Sequence, residues 1–83
     1  MRLVSMPADF FRPARIDPSE KTATVSLRYR STSPQYVVGL DKYGVTRWFE
    51  RSKVEYAVEP TPNGSHVLVV TGDINIMKQK KLV

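Results

Sequence analysis

From Lys21 to Glu59, β-branched and aromatic residues alternate with charged ones, and little interrupts the pattern. In Thr22-Ala23-Thr24-Val25-Ser26-Leu27-Arg28-Tyr29-Arg30 the apolar residues fall on every second position. A period of two puts Ala23, Val25, Leu27 and Tyr29 on one face of a strand and Thr24, Ser26, Arg28 and Arg30 on the other. A strand buried on one side, with arginines on its wet side, constrains the fold class to β. It also supplies a candidate binding surface.

The rest of the chain supplies partners for that strand. Ser31-Thr32-Ser33-Pro34 reads as a polar loop, Tyr36–Leu40 as a second strand, and Asp41-Lys42-Tyr43-Gly44 as a tight hairpin connection with Gly44 suited to a positive φ. Val45–Phe49 returns, and Glu50-Arg51-Ser52-Lys53 is a short polar step, a candidate turn of helix. Val54–Val58 resumes the alternation, which favours strand over a rival helix from Arg47 to Val58. After the turn signal Pro60-Thr61-Pro62-Asn63-Gly64 comes His66–Val70, apolar on both faces. Such a strand is either central in a sheet or covered by the arm or a second subunit. Thr71-Gly72-Asp73 reads as another turn and Ile74-Asn75-Ile76 as a last short strand.

Residues 1–20 read as an extended arm, because Pro7, Pro13 and Pro18 recur too closely for a stable helix. Phe10 or Phe11 is its expected anchor, and Asp17-Pro18-Ser19-Glu20 is a turn into the first strong strand. The cluster Phe10-Phe11-Arg12-Pro13-Ala14-Arg15 suits a lid on a small core better than an arm in a minor groove. Residues 21–77 form the β domain, and residues 78–83 a basic tail expected to fray. The expected fold is therefore all-β: a small antiparallel five-stranded barrel with an extended N-terminal arm, since a flat sheet of this size leaves one face and both edges bare.

Tyr36–Glu55 resembles the central hairpin of Tudor-like small β-barrels: an apolar strand, the acidic–glycine turn Asp41–Gly44, the aromatic pair Trp48-Phe49, then Ser52-Lys53-Val54-Glu55. The resemblance implies a barrel and carries no binding specificity. The aromatic cage that such domains use for methylated side chains is not visible in these residues.

Composition narrows the function. A chain of 83 residues, 41% of them hydrophobic, fits one small globular domain rather than general disorder. With no cysteine and His66 as the only histidine, neither disulfides nor a Cys/His zinc site is expected. No apolar run approaches the roughly 20 residues that cross a bilayer, and Met1–Pro7 is too short for a secretory signal, so a cytoplasmic protein without membrane association is expected. His66, Ser5 and Ser52 have no recognisable catalytic partner, and Gly39, Gly44, Gly64 and Gly72 form no phosphate-cradling loop. A non-enzyme without cofactor or metal is the expectation.

The net charge of +5 favours a polyanionic partner, and nucleic acid, DNA or RNA, is the commonest. The candidate nucleic-acid-binding residues are Arg28 and Arg30 on one strand face, Lys42 and Tyr43 at the hairpin tip, and Arg47, Trp48, Arg51 and Lys53 near its base. On a regular strand Arg28 and Arg30 stand about 7 Å apart, close to the spacing of successive phosphates. Trp48 and Phe49 point to opposite faces, so at least one belongs to the core. The expected role is accessory or regulatory, with phosphates held by the cations and bases stacked on rings. The alternative is a protein–protein module, an adaptor or inhibitor that docks on an acidic partner or adds a strand to it. A homodimer is a further candidate assembly.

Overall fold

The alternation that opens the strand reading produces one long strand, and the other elements arrange themselves around it. The structure, a computed structural model, describes residues 14–62 and 64–83. Six strands run β1 (Arg15–Asp17), β2 (Thr22–Thr32), β3 (Tyr36–Leu40), β4 (Thr46–Glu50), β5 (Val54–Pro60) and β6 (His66–Asp73). A 3-10 turn, Arg51–Lys53, joins β4 to β5, and a short helix, α1 (Ile74–Gln79), follows β6. The expected anchors Phe10 and Phe11 lie outside the described residues.

All pairing is antiparallel, in the order β4-β3-β2-β6-β5, with β1 also paired to β2. The sheet is all-β in character but does not close into the expected barrel. It is nevertheless rolled. Glu50 lies in register with Tyr36 at the far end of β2, whereas Val54 lies in register with Gly72 and Ala23 at its start. In a flat sheet the edge strands alone would stand about 19 Å apart, while four residue steps reach about 14 Å at most. The bend comes from β2, whose register shifts between Tyr29 and Ser31, leaving Arg30 as an inserted residue.

The concave side of this roll holds the core. Ala23, Val25 and Leu27 of β2 face inward with Leu68 and Val70 of β6, and Val37 and Phe49 close over them from β3 and β4. β6 is central, between β2 and β5, which accounts for its two apolar faces. Phe49 is buried and Trp48, its neighbour, is 55% exposed, as regular alternation requires.

The end of the chain departs from expectation. Thr71, Gly72 and Asp73 continue β6 instead of turning, and Ile74–Ile76 is helical instead of extended. Gly72 serves close packing: a Cβ there would meet Val54 Cγ1 at 2.9 Å and Met77 Cε at 3.3 Å. Asp73 caps the helix by accepting from the Asn75 amide at 2.7 Å, and α1 delivers Met77 into the core with no exposed surface. Lys78 of the expected basic tail belongs to α1, and Lys80 caps it. Lys81, at φ 59°, ends the helix, with Lys81 N donating to Lys78 O at 3.0 Å and Leu82 N to Met77 O at 2.9 Å. This Schellman arrangement returns Leu82 to the core.

Candidate nucleic-acid interface

On the convex side of the sheet, strand register decides which side chains share a surface. Arg28 is opposite Leu40, and Leu40 is opposite Thr46. One row further on, Ser31 is opposite Val38, which is opposite Trp48, and Tyr36 is opposite Glu50. Paired residues point the same way. Arg28, Tyr36 and Trp48 therefore emerge on one face of β2–β3–β4; Arg30, the residue inserted at the bulge, is not placed by the register, and all four are exposed. The bulge between Tyr29 and Ser31 corrects the regular spacing expected for the two arginines.

This face has an apolar floor. Val38 and Val67, in register with Trp48 and Arg28 respectively, are only 4% and 2% exposed. Long arginine stems can lie along such a floor while the guanidinium stays in water. No ion pair to Arg28 or Arg30 occurs among the described residues. Tyr36 and Trp48 meet edge to face, with ring centroids 6.0 Å apart and planes at 88°. That contact braces the indole against Tyr36 while leaving it 55% exposed.

The hairpin tip is held from within by Asp41. This carboxylate, 8% exposed, accepts from Tyr43 N at 2.8 Å and Val45 N at 3.0 Å through one oxygen, and from Arg47 Nε at 3.1 Å through the other. Burial pushes its pKa up, but the two amides and the guanidinium outweigh burial and hold it below the ordinary carboxylate value. Gly44, at φ 80°, completes the turn, and Gly44 N donates to Asp41 O at 2.9 Å. Lys42 and Tyr43 stand outside it, the ammonium 5.3 Å from the ring centroid.

The eight sequence-derived residues therefore divide. Arg28, Arg30, Lys42, Tyr43 and Trp48 are all exposed: Arg28 and Trp48 on the convex face, Arg30 at the bulge, Lys42 and Tyr43 at the hairpin tip. Arg47 is half-buried and committed to Asp41. Arg51 donates to Ser33 O at 2.8 Å and lies over the Tyr56 ring, 5.8 Å from its centroid, so it ties the 3-10 turn to the sheet. Lys53 is exposed at the edge of β4, 3.8 Å from Glu50. Tyr36 joins the site through register with β4, a relation that no local motif announces.

A groove of about 280 Å³ continues the site around the edge of β4. Tyr36, Trp48, Glu50 and Lys53 line it on the sheet side, and Ile76, Gln79 and Lys80 on the helix side. Lys80 Nζ stands 5.4 Å from the centroid of the Phe49 ring at its base. Among the described residues no three His, Cys, Asp or Glu side chains gather to hold a metal ion, and no helix is long and apolar enough to cross a membrane. No protein-family model, curated protein or solved structure matches this chain.

Proposed function

We propose that the protein binds nucleic acid across the convex face of β2–β3–β4, as an accessory or regulatory factor rather than an enzyme. Arg28 and Arg30 contact backbone phosphates, Lys42 extends the cationic surface at the hairpin tip, and Trp48 and Tyr43 offer ring faces for stacking. The observation that carries this reading is the shared exposure of Arg28 and Trp48 on one face, with Arg30 exposed at the bulge two residues from Arg28. Arg47 and Arg51 drop out of the contact set, because their guanidinium groups are occupied within the fold.

The test is a binding series on single- and double-stranded oligonucleotides across salt concentrations. Affinity should fall linearly in log–log form, with a slope of about −0.7 per phosphate neutralised on a single strand and about −0.9 on duplex. Absence of binding to either substrate at low salt overturns the proposal. A second reading draws on the sheet edges: among the described residues, the outer edges of β4 and β5 pair with no other strand. An extended segment of another protein could add there. Binding of a purified partner that survives saturation with competitor nucleic acid would favour that reading.

A further inference from the structure

We propose that the groove between the edge of β4 and α1 takes one unpaired nucleotide, so that the ligand class is single-stranded nucleic acid. The inference rests on the nucleic-acid reading above and goes further, naming the strandedness and a second contact region. At about 280 Å³ the groove is comparable to the smallest ligand sites. Its sheet wall carries two aromatic rings already locked against each other at 88°. A base can lie against such a wall only when its own faces are free, as in a single strand and not inside a duplex.

The remaining lining supplies what a nucleotide presents beyond its ring. Lys53 and Lys80 bring ammonium groups to the groove from the 3-10 turn and from the C-terminal cap of α1. The 3.8 Å pair between Lys53 and Glu50 joins side chains 62% and 49% exposed, a weak contact that a phosphate can displace. Gln79 can both donate to and accept from a base edge, and the Glu50 carboxylate accepts from an amino group. Tyr36 and Trp48 belong to both the groove and the convex face, so one strand can run from the arginines over β3 and into the groove.

Trp48 is the only tryptophan in the chain, so its fluorescence reports the site directly. The probes are a short mixed-sequence single strand and the blunt duplex made from it. The single strand should quench the indole and bind more tightly than the duplex. Trp48→Leu should weaken single-strand binding by about tenfold, the scale of one lost base stack. Gln79→Glu and Lys80→Glu, two independent ways of placing negative charge in the groove, should weaken the single strand selectively and leave duplex binding as it was. If both variants fold by circular dichroism and bind single strands like the parent, while Arg28→Ala and Arg30→Ala weaken them, the groove assignment is overturned and the convex-face reading stands. If the parent binds neither probe at low salt, both fall together.

Discussion

The two ends of β2 make different use of the same strand. From Thr22 to Leu27 its inward residues meet Val70 and Leu68 in strict register, and its outward residues are short hydroxyls, with Thr24 Oγ1 and Thr71 Oγ1 2.8 Å apart. From Arg28 to Thr32 the register slips, the partner becomes β3, and two exposed arginines, Arg28 outward and Arg30 at the bulge, share this end of the sheet with the exposed Trp48. The first end is paired to a central strand and sealed by Met77. The second carries a two-strand extension whose tip depends on one buried carboxylate. Regular pairing thus serves stability, and the irregular end frees long side chains for recognition. Substitutions should separate the two ends.

The largest effect belongs to the first end. Leu68, with no exposed surface, sits opposite Leu27 in the core. Leu68→Ala should cost about 2–5 kcal/mol through lost burial and the cavity left behind. In a domain this small that is a large part of the total stability, so thermal melting should show a drop of about 10 °C or more, or no cooperative transition at all. A melting temperature within a few degrees of the parent would refute the assignment of the core to this end.

Asp41 probes the second end. Asp41→Ala removes the acceptor of two amides and the partner of Arg47, and should cost about 1–2 kcal/mol. Hydrogen exchange should rise in β3 and β4 well before β2 and β6. The pH dependence follows from the lowered pKa. A carboxylate stabilised in the folded state contributes fully above its unfolded value of about 3.9 and loses that contribution as pH falls through its lower folded value. The hairpin should therefore loosen below about pH 4 in the parent, and the alanine variant should lack that acid step. Identical acid titrations of the two proteins would dissociate Asp41 from the stability of the tip.

Much of the first end is legible in the sequence, because period two is a local property. The inward set of β2, the turn at Gly44 and the strand break at Arg51–Lys53 all follow from spacing and turn chemistry, whereas the two apolar faces of β6 leave it either central or covered, and the strand order decides for central. The helix does not. Gly72-Asp73 carries a turn signature, yet the glycine is there for packing room and the aspartate as a helix cap, and six helical residues are too few to display a period. The second end is legible in composition but not in geometry. Arg47 and Arg51 look like Arg28 and Arg30 in the sequence; what separates them is Asp41, folded back by its own turn, and the carbonyls of Ser33 and Pro34, which the register brings alongside. Tyr36 meets Trp48 only because β3 and β4 pair as they do.

A smaller effect should come from the seal of the first end. Lys81 adopts φ 59° at the C-terminus of α1, a conformation that costs a side chain and not glycine. Lys81→Gly should stabilise the protein by about 0.5–1 kcal/mol, read as a rise of a few degrees in melting temperature. A fall would mean that the lysine side chain does more for the helix end than its backbone strain takes away.

The smallest stability change should come from the residues that matter most for recognition. Arg28→Ala and Arg30→Ala alter exposed side chains that make no ion pair among the described residues, so each should stay within about 0.5 kcal/mol of the parent. Arg28 lies in register with the nearly buried Val67, and a loss approaching 1 kcal/mol in its variant would show that this apolar floor relies on the arginine stem for cover. Binding should respond differently: each loss should reduce the steepness of the salt dependence by roughly one phosphate contact. A variant that melts like the parent but binds with an unchanged salt slope would remove that arginine from the interface. A variant that loses stability and binding together would mean that the two ends of β2 are not separable.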